Sequence, residues 1–433
     1  MSQAQATSLV REPTRVQDST DVASDIRSLP PSNYSVRVAT TCEQIRALRR
    51  WWKRWSGSLD SDIDYFLYSL AHDPSIVRPY VLTVFNHGIV EAMLVGEVKW
   101  SRAFAIVSSL RIPGPKAKVL EIKQGGRIGQ PSPVIDRVLA LELLKVIESR
   151  EVDYICFDRL PLHSEIYLQI QQSSRFLVKT RVPHIFSYSV LRLKSPKTKG
   201  SRIFPGKVYR ENRRRAGVLN DAFPGQVHLK CFSGPDEFDL GMQDAMCVAV
   251  TTWQYQLGLS LSDTMQTRER FRFVAERGWL RIYVLYIGDT PCAFLIGQVY
   301  GNTFYCEYAG YHPDFARFAV GSLLTARVFE ELAVVDVHQV DFGEGDQEHY
   351  RQLGCQMSEE GTVHVYGPTM RGLLSNAFFG ITQIVRRGGR RTQSILQLDR
   401  LSKVWRKYLI SRRRSRATQW KAAVDQNEGK NYV

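Results

Sequence analysis

The sequence predicts an α/β chain made of two copies of one β-β-…-α-β unit. Two echoes in the same order carry this prediction. Ala92-Met-Leu-Val-Gly-Glu-Val98 recurs as Ala293-Phe-Leu-Ile-Gly-Gln-Val299, and Asp158, Glu165 and Tyr167 recur at the same spacing as Asp341, Glu348 and Tyr350. Length is the third observation: 433 residues with 44% hydrophobic content correspond to two or three domains with buried cores, at roughly 100–200 residues each.

Taken in order, residues 1–33 are polar, lack periodicity and close on Pro30-Pro31, so they are expected to be a disordered leader. A first unit, 34–192, opens with a strand at Tyr34 and a helix over Cys42–Trp55 carrying Trp51, Trp52 and Trp55. The strand Tyr80–Phe85, a turn at Gly88 and the Ala92–Val98 segment then read as a hairpin. A helix over Val134–Ser149 and a strand over Tyr154–Phe157 follow. The echoes are offset by 201 residues at Ala92/Ala293 and 183 at Asp158/Asp341, so the first copy holds about 18 more residues, placed around Trp100–Pro133. Residues 193–218 begin as a Pro- and Gly-containing linker and become a basic helix with Arg210, Arg213, Arg214 and Arg215. That helix is either a solvated face or a contact for phosphates or the partner half.

The second unit, 219–368, repeats the hairpin (Arg281–Ile287, Gly288-Asp289, Ala293–Val299). It continues with a strand over Thr303–Tyr311, a loop to Val320, a helix from Gly321 and a strand over Gln339–Phe342. Residues 369–433 form the basic tail. Met370–Val385 and Asp399–Arg416 have apolar residues at helical spacing, and Arg386–Lys421 holds thirteen basic residues against one acid, Asp399. The formal net charge of +15 is therefore concentrated in this tail. It points to an anionic partner, a membrane face or nucleic acid, and its amphipathic helices either lie at a membrane interface or dock their apolar stripes on the second domain.

Composition excludes collagen, disulfide-rich and wholly disordered classes. Apolar runs such as Ala92–Val95 fall far short of the ~20 residues of a membrane span. The N-terminus lacks the apolar core of a secretory signal, which leaves the cytoplasm as the expected compartment. Seven cysteines without a CxxC pair read as reduced thiols, and nine histidines show no metal-ligand spacing.

The chemistry is concentrated in the second copy. A strand, a glycine-containing turn and a helix starting at Gly321-Ser322 aim backbone N–H groups at an anion, with Arg317 available to neutralise phosphate. The first copy has Pro131-Ser-Pro-Val134 at this place. Prolines remove donors, so the first copy is read as degenerate and shaping the acceptor cleft.

Four segments, KVYRENRRRAGV, AFLIGQV, FYCEYAGYHPDFARFAVGSLL and DFGEGDQEHYRQLG, resemble GCN5-related N-acetyltransferases. The resemblance is to the tandem CelD-like branch linked to cellulose and exopolysaccharide synthesis, which is related to Fem-type peptidyl transferases. It covers about residues 35–368. The family's DFG-x-G-x-x-x-Y-K signature is matched by Asp341-Phe-Gly-Glu-Gly345 and Tyr350-Arg351, with one extra residue and Arg for Lys. The resemblance implies a tandem acyltransferase fold, a mixed sheet splayed where two parallel strands part, and acetyl-CoA or another acyl-CoA as acyl donor. Its pyrophosphate turn is matched by Arg317-Phe-Ala-Val-Gly321-Ser322, which has one residue too many and a single glycine. Arg317, Val320, Gly321, Ser322 and Leu323 are the implied cofactor residues.

Acyl transfer to an amine needs a base, an acid for the departing thiolate and an oxyanion donor. Asp341, Glu307 and Asp346 are candidate bases, and Tyr308, Tyr311 and Tyr350 candidate acids. Asp341, Tyr350, Glu307 and Tyr311 are assigned as catalytic, and Asp346, Arg351 and Trp253 to the acceptor side; the alternative is that Asp341 caps the turn after its strand, Tyr350 packs its ring in the core and Glu307 faces solvent. Three readings follow: acyl transfer from acyl-CoA to an amine on a sugar or surface-polymer precursor, Fem-type transfer from aminoacyl-tRNA, and an inactive scaffold of a polysaccharide synthase. The first would be cytoplasmic, held peripherally at the inner membrane face through residues 386–421.

Overall fold

The computed structural model describes residues 34–395 except 56, 108–109, 174–183, 194–202, 257–259 and 345–346. The expected leader (1–33) and the helix over 399–416 lie outside the described residues.

The two copies have the same order of elements. The first comprises β1 (Tyr34–Ala39), α1 (Cys42–Ala47), α2 (Arg49–Trp55), α3 (Ile63–His72), β2 (Ile76–Asn86), β3 (Ile89–Val107), β4 (Leu110–Gly129), α4 (Pro133–Glu148), β5 (Tyr154–Pro161), α5 (Glu165–Ser173) and β6 (His184–Arg192). The joining helix is α6 (Gly206–Ala222). The second comprises β7 (Val227–Phe232), α7 (Phe238–Ala249), α8 (Trp253–Gln256), α9 (Met265–Glu276), β8 (Leu280–Ile287), β9 (Thr290–Tyr300), β10 (Thr303–Tyr311), α10 (Val320–Val334), β11 (Gln339–Glu344), α11 (Gln347–Leu353) and β12 (Gln356–Tyr366). A last helix, α12 (Met370–Ile395), follows.

Among the described residues, twelve strands join one mixed sheet in the order β1-β2-β3-β4-β5-β12-β6-β11-β10-β9-β8-β7. The last strand of each copy is exchanged. β12 pairs with β5 of the first copy, β6 pairs with β11 of the second, and β6 and β12 pair with each other at the centre. The chain segment 34–192 therefore does not contain a complete half-sheet. Nothing in strand periodicity encodes this, because alternation sets which face is buried and not which strand lies alongside.

Side-chain alternation divides the core between the two sheet faces. α4 packs on Leu82, Leu94, Leu120 and Ile155, while α10 and α6 pack on Tyr283, Leu285, Leu295 and Val340. Across the sheet, α1–α3 cover Val81, Met93 and Val95, and α7 and α9 cover Ile282, Val284 and Ile296. The helices α3 and α9 meet over this second face, where Tyr68 and Phe273 rings lie 4.2 Å apart and Tyr300 OH donates to Asp62 at 2.8 Å.

The repeated glycine has a steric cause. A Cβ at Gly96 would lie 2.8 Å from the Glu121 carbonyl oxygen, and one at Gly297 would overlap the Tyr305 carbonyl and the Phe304 ring. Both glycines sit beside a β-bulge, between Leu94 and Gly96 in the first copy and between Cys306 and Tyr308 opposite Gly297 in the second. The extra residues of the first copy form the long arm of β3 and β4, paired out to Val107 and Leu110.

Three local expectations differ. The helix expected over Cys42–Trp55 breaks at Leu48, which caps α1. The loop before Val320 contains a 3₁₀ turn, Pro313–Phe318. The helices α7–α9, between the joining helix and the second hairpin, are additional elements.

Candidate active site

The site opens where two parallel strands part. β10 and β11 pair only over Thr303–Tyr305 and Gln339–Asp341. Beyond that, β10 stays with β9 through its bulge, and β11 stays with β6, with Gly343 opposite Ser189 and Glu344 opposite Tyr188. The cleft between them has a volume of about 1360 Å³. One wall is β10 from Cys306 to Tyr311, and the other carries Phe342, Glu344, His349 and Tyr350. Gly321, Ser322 and Thr325 from the start of α10 close one side, and Lys207, Arg210, Arg214 and Arg215 from α6 the other.

The α10 start is suited to an anion. Its N-cap, Ala319, is in the left-handed region (φ 53°), and no side chain caps the helix. The first N–H groups of a helix have no intrahelical partner and carry the positive end of its dipole. The first copy differs at the matching place. Ser132 Oγ accepts from the Ile135 N–H at 3.5 Å, Pro133 occupies the first turn, and Arg127 Nε donates to Asp136 Oδ1 at 2.6 Å. There the protein supplies its own cap, cation and carboxylate, whereas in the second copy the helix start faces the cleft.

The α6 wall is basic because residues 207, 210 and 214 recur at helical spacing on one side. Glu211 pairs with Arg214 Nη2 and Arg215 Nε, each at 2.8 Å. The hydrogen bond from Arg214 is the main cause holding the Glu211 carboxyl down at about 2, with Arg215 adding to it. Four cations against this one acid leave the wall positive.

Glu307 sits at the bulge and lines the cleft. Both its oxygens are engaged: Arg270 Nη1 donates to Oε2 at 3.2 Å, Arg270 Nη2 donates to Oε1, and Gln298 Nε2 donates to Oε2 at 2.8 Å. Burial works against the Arg270 charge, but the Glu307 carboxylate outweighs it and raises the guanidinium pKa further. Arg270 lies on α9 and Gln298 on β9, so no local sequence spacing could have linked them to Glu307. Gln298 occupies the echo position of Glu97, which in the first copy receives Lys123 Nζ at 2.8 Å.

Of the residues assigned from sequence, Glu307, Tyr311, Gly321, Ser322 and Tyr350 come together in the cleft, as does Tyr308. Tyr350 stacks on Phe342 with centroids 4.5 Å apart. The Tyr311 ring lies against the α10 start, where a Cβ at Gly321 would stand 3.2 Å from Tyr311 Cδ1.

The other assigned residues fall outside the cleft lining or outside the described residues. Asp341 does not line the cleft. Its neighbour Val340 is buried beside α10, so alternation sends Asp341 to the opposite sheet face. Its Oδ1 accepts from the Gly343 N–H at 2.8 Å. Burial pushes its pKa up to about 6 against the opposing pull of Arg159 and that N–H, with Glu360 and Asp60 adding to the rise. Of these two residues assigned as catalytic, Tyr350 lines the cleft and Asp341 does not. Val320 and Leu323 bury their side chains in the core and can offer only backbone N–H groups. Arg317 is exposed with its guanidinium 4.6 Å from the Phe318 ring centroid, and Arg351 pairs with Glu348 at 3.0 Å outside the cleft lining. Asp346 and the Trp253 side chain lie outside the described residues, although Gln254 beside Trp253 lines the cleft. Among the described residues, no group of His, Cys, Asp or Glu could hold a metal ion.

Residues 207–352 match the family model of the acetyltransferase (GNAT) domain. That span begins on α6 and contains the cleft. No curated protein matches the chain. Among solved structures, the chain is similar to FemX (9% identity, 66% of this chain and 88% of that one, TM-score 0.46). It is also similar to a tandem GNAT protein from the clavulanic acid biosynthesis pathway (12%, 77% and 100%, TM-score 0.42) and to a GCN5-related N-acetyltransferase from Sphaerobacter thermophilus (12%, 79% and 99%, TM-score 0.36).

Proposed function

We propose that the second-copy cleft transfers an acyl group from a coenzyme A thioester to an amine. The observation that carries this reading is the parting of β10 and β11 onto an uncapped helix start and an arginine-lined wall. A coenzyme A thioester supplies the activated acyl group. The N–H groups at Gly321 and Ser322, with Arg210 and Arg214, hold its phosphates, so the anion is shared between α10 and α6. This division of labour suits a turn with a single glycine.

Glu307 is the residue to accept the amine proton, directly or through one water. Arg270 and Gln298 fix its orientation, and each carboxylate oxygen retains lone-pair capacity for a further donor. Tyr350 and Tyr311 present phenols in the same cleft, where one can donate to the departing thiolate. The resemblance of AFLIGQV and DFGEGDQEHYRQLG to the CelD-like branch supports an acceptor amine on a sugar or surface-polymer precursor.

The test is thermal stabilisation by acetyl-CoA, since a ligand bound only to the native state raises Tm. Stabilisation is expected in the wild type and is lost in Arg210→Glu/Arg214→Glu, whose wall is reversed in charge on exposed positions. Gly321→Asp should also lose it, with an added steric push on Tyr311. Glu307→Gln should retain stabilisation while transfer falls by roughly 10²–10⁴. An unshifted wild type that binds aminoacyl-tRNA would move the reading to Fem-type transfer, and binding of neither would leave the scaffold reading.

A further inference from the structure

The first turn of α12 is pinned to the sheet. Thr369 Oγ1 donates to Asp153 Oδ1 at 2.6 Å, and Asp153 Oδ2 accepts from the Lys118 N–H at 2.7 Å. Gly372 follows, where a Cβ would stand 2.5 Å from the Asp153 carbonyl oxygen. Further along, Ser375 is fully buried, the Phe378 ring covers Gly114 of the β3–β4 arm, and Phe379 stacks on His364 with centroids 4.7 Å apart. One side of the helix is thereby committed to the protein.

The opposite side is apolar and uncovered. Met370, Leu373, Leu374 and Ile381 are 75%, 43%, 54% and 62% exposed, and Ala377 between them is exposed as well. At 3.6 residues per turn these five positions fall within an arc of about 100°, the width of a buried helix stripe. No Asp or Glu occurs anywhere in the 26 residues of α12, and Arg386, Arg387, Arg390 and Arg391 follow the stripe in the same helix. Among the described residues no helix is long and apolar enough to cross a membrane.

We propose that α12 docks the protein on an anionic lipid surface, its apolar stripe entering the boundary between headgroups and acyl chains. The charge pattern selects this occupant. A helix that pairs an apolar stripe with arginines further along its length, and has no acids, matches an interface that is oily below and phosphate-bearing above. The inference does not depend on acyl transfer. It places the contact on a helix already fixed to the sheet, so the lipid surface would hold the whole molecule in one orientation.

Vesicle flotation tests it with the full chain, using phosphatidylcholine vesicles with and without phosphatidylglycerol. Wild type should float with the anionic vesicles and remain behind with the neutral ones. Leu374→Glu/Ile381→Glu should reduce the bound fraction by roughly tenfold or more, with an unchanged melting curve because both side chains are exposed. Replacing Arg386, Arg387, Arg390 and Arg391 by Gln should reduce it comparably. Equal flotation of wild type and the Leu374/Ile381 variant would overturn the proposal, since the stripe would then not be the contact. So would a wild type that ignores vesicles but sediments as a dimer which the stripe variant dissociates, because a second copy would then be the occupant.

Discussion

Asp341 shows how far a sequence motif can mislead at the scale of one residue. Its place in DFGEG was legible, and so was the strand that carries it. What the motif could not show is that Asp341, on the face opposite α10, comes under the influence of Arg159, Glu360 and Asp60 from elements distant in sequence. The consequence is a stability effect. Burial raises its folded pKa to about 6 from the usual carboxylate value, so the folded state binds more protons than the unfolded state between those two pH values. Its contribution is then most favourable in acid and is lost as pH rises through about 6. Asp341→Asn, which still accepts the Gly343 N–H, should melt higher than wild type at pH 8, with the gap closing towards pH 4. An Asn variant that melts lower than wild type at pH 8 would contradict this. Glu307 is the reverse case. Its residue type and strand were legible, but its partners Arg270 and Gln298 come from α9 and β9, and only the folded chain brings them together.

At the scale of elements, the two hairpins were readable because their glycines mark a physical necessity. Gly96 and Gly297 each let a neighbouring strand approach where a Cβ would strike a main-chain carbonyl beside a bulge. Glu307 lies within the same bulge and lines the cleft, so the repeated glycine sits beside the site as well as in the sheet. Gly96→Ala and Gly297→Ala should each destabilise by about 1–3 kcal/mol, the usual cost of overpacking. Denaturant melts at matched conditions would measure this, and a neutral effect at both positions would detach the echo from its steric explanation. The boundaries of α10 were less readable. Ala319 in a left-handed conformation starts it one residue earlier than the Gly321 expected, and no propensity rule assigns alanine that role. The α7–α9 stretch carries buried Phe238, Met242 and Ala245 at helical spacing in α7, and Phe271, Val274 and Ala275 in α9, a signal present in the residues though without a motif to draw attention to it.

For the whole molecule, duplication was legible and strand exchange was not. Each half-sheet takes its sixth strand from the other copy, so neither half can close its sheet alone. Chain fragments 1–196 and 197–433 should aggregate when produced separately, through the unpaired edges of β5 and β11, and should co-purify as a soluble pair when produced together. Two separately soluble, monomeric fragments would contradict the exchanged arrangement. The shared central strands keep both copies folded even where Ser132, Pro133 and the Arg127–Asp136 pair occupy the first-copy helix start. The proposed donor site is single and lies in the second copy only. Calorimetric titration of the full chain with acetyl-CoA tests it most directly. One site per chain is predicted, abolished by Arg210→Glu/Arg214→Glu and retained in Arg127→Ala. Two sites, no heat of binding, or one site lost only in Arg127→Ala would contradict it.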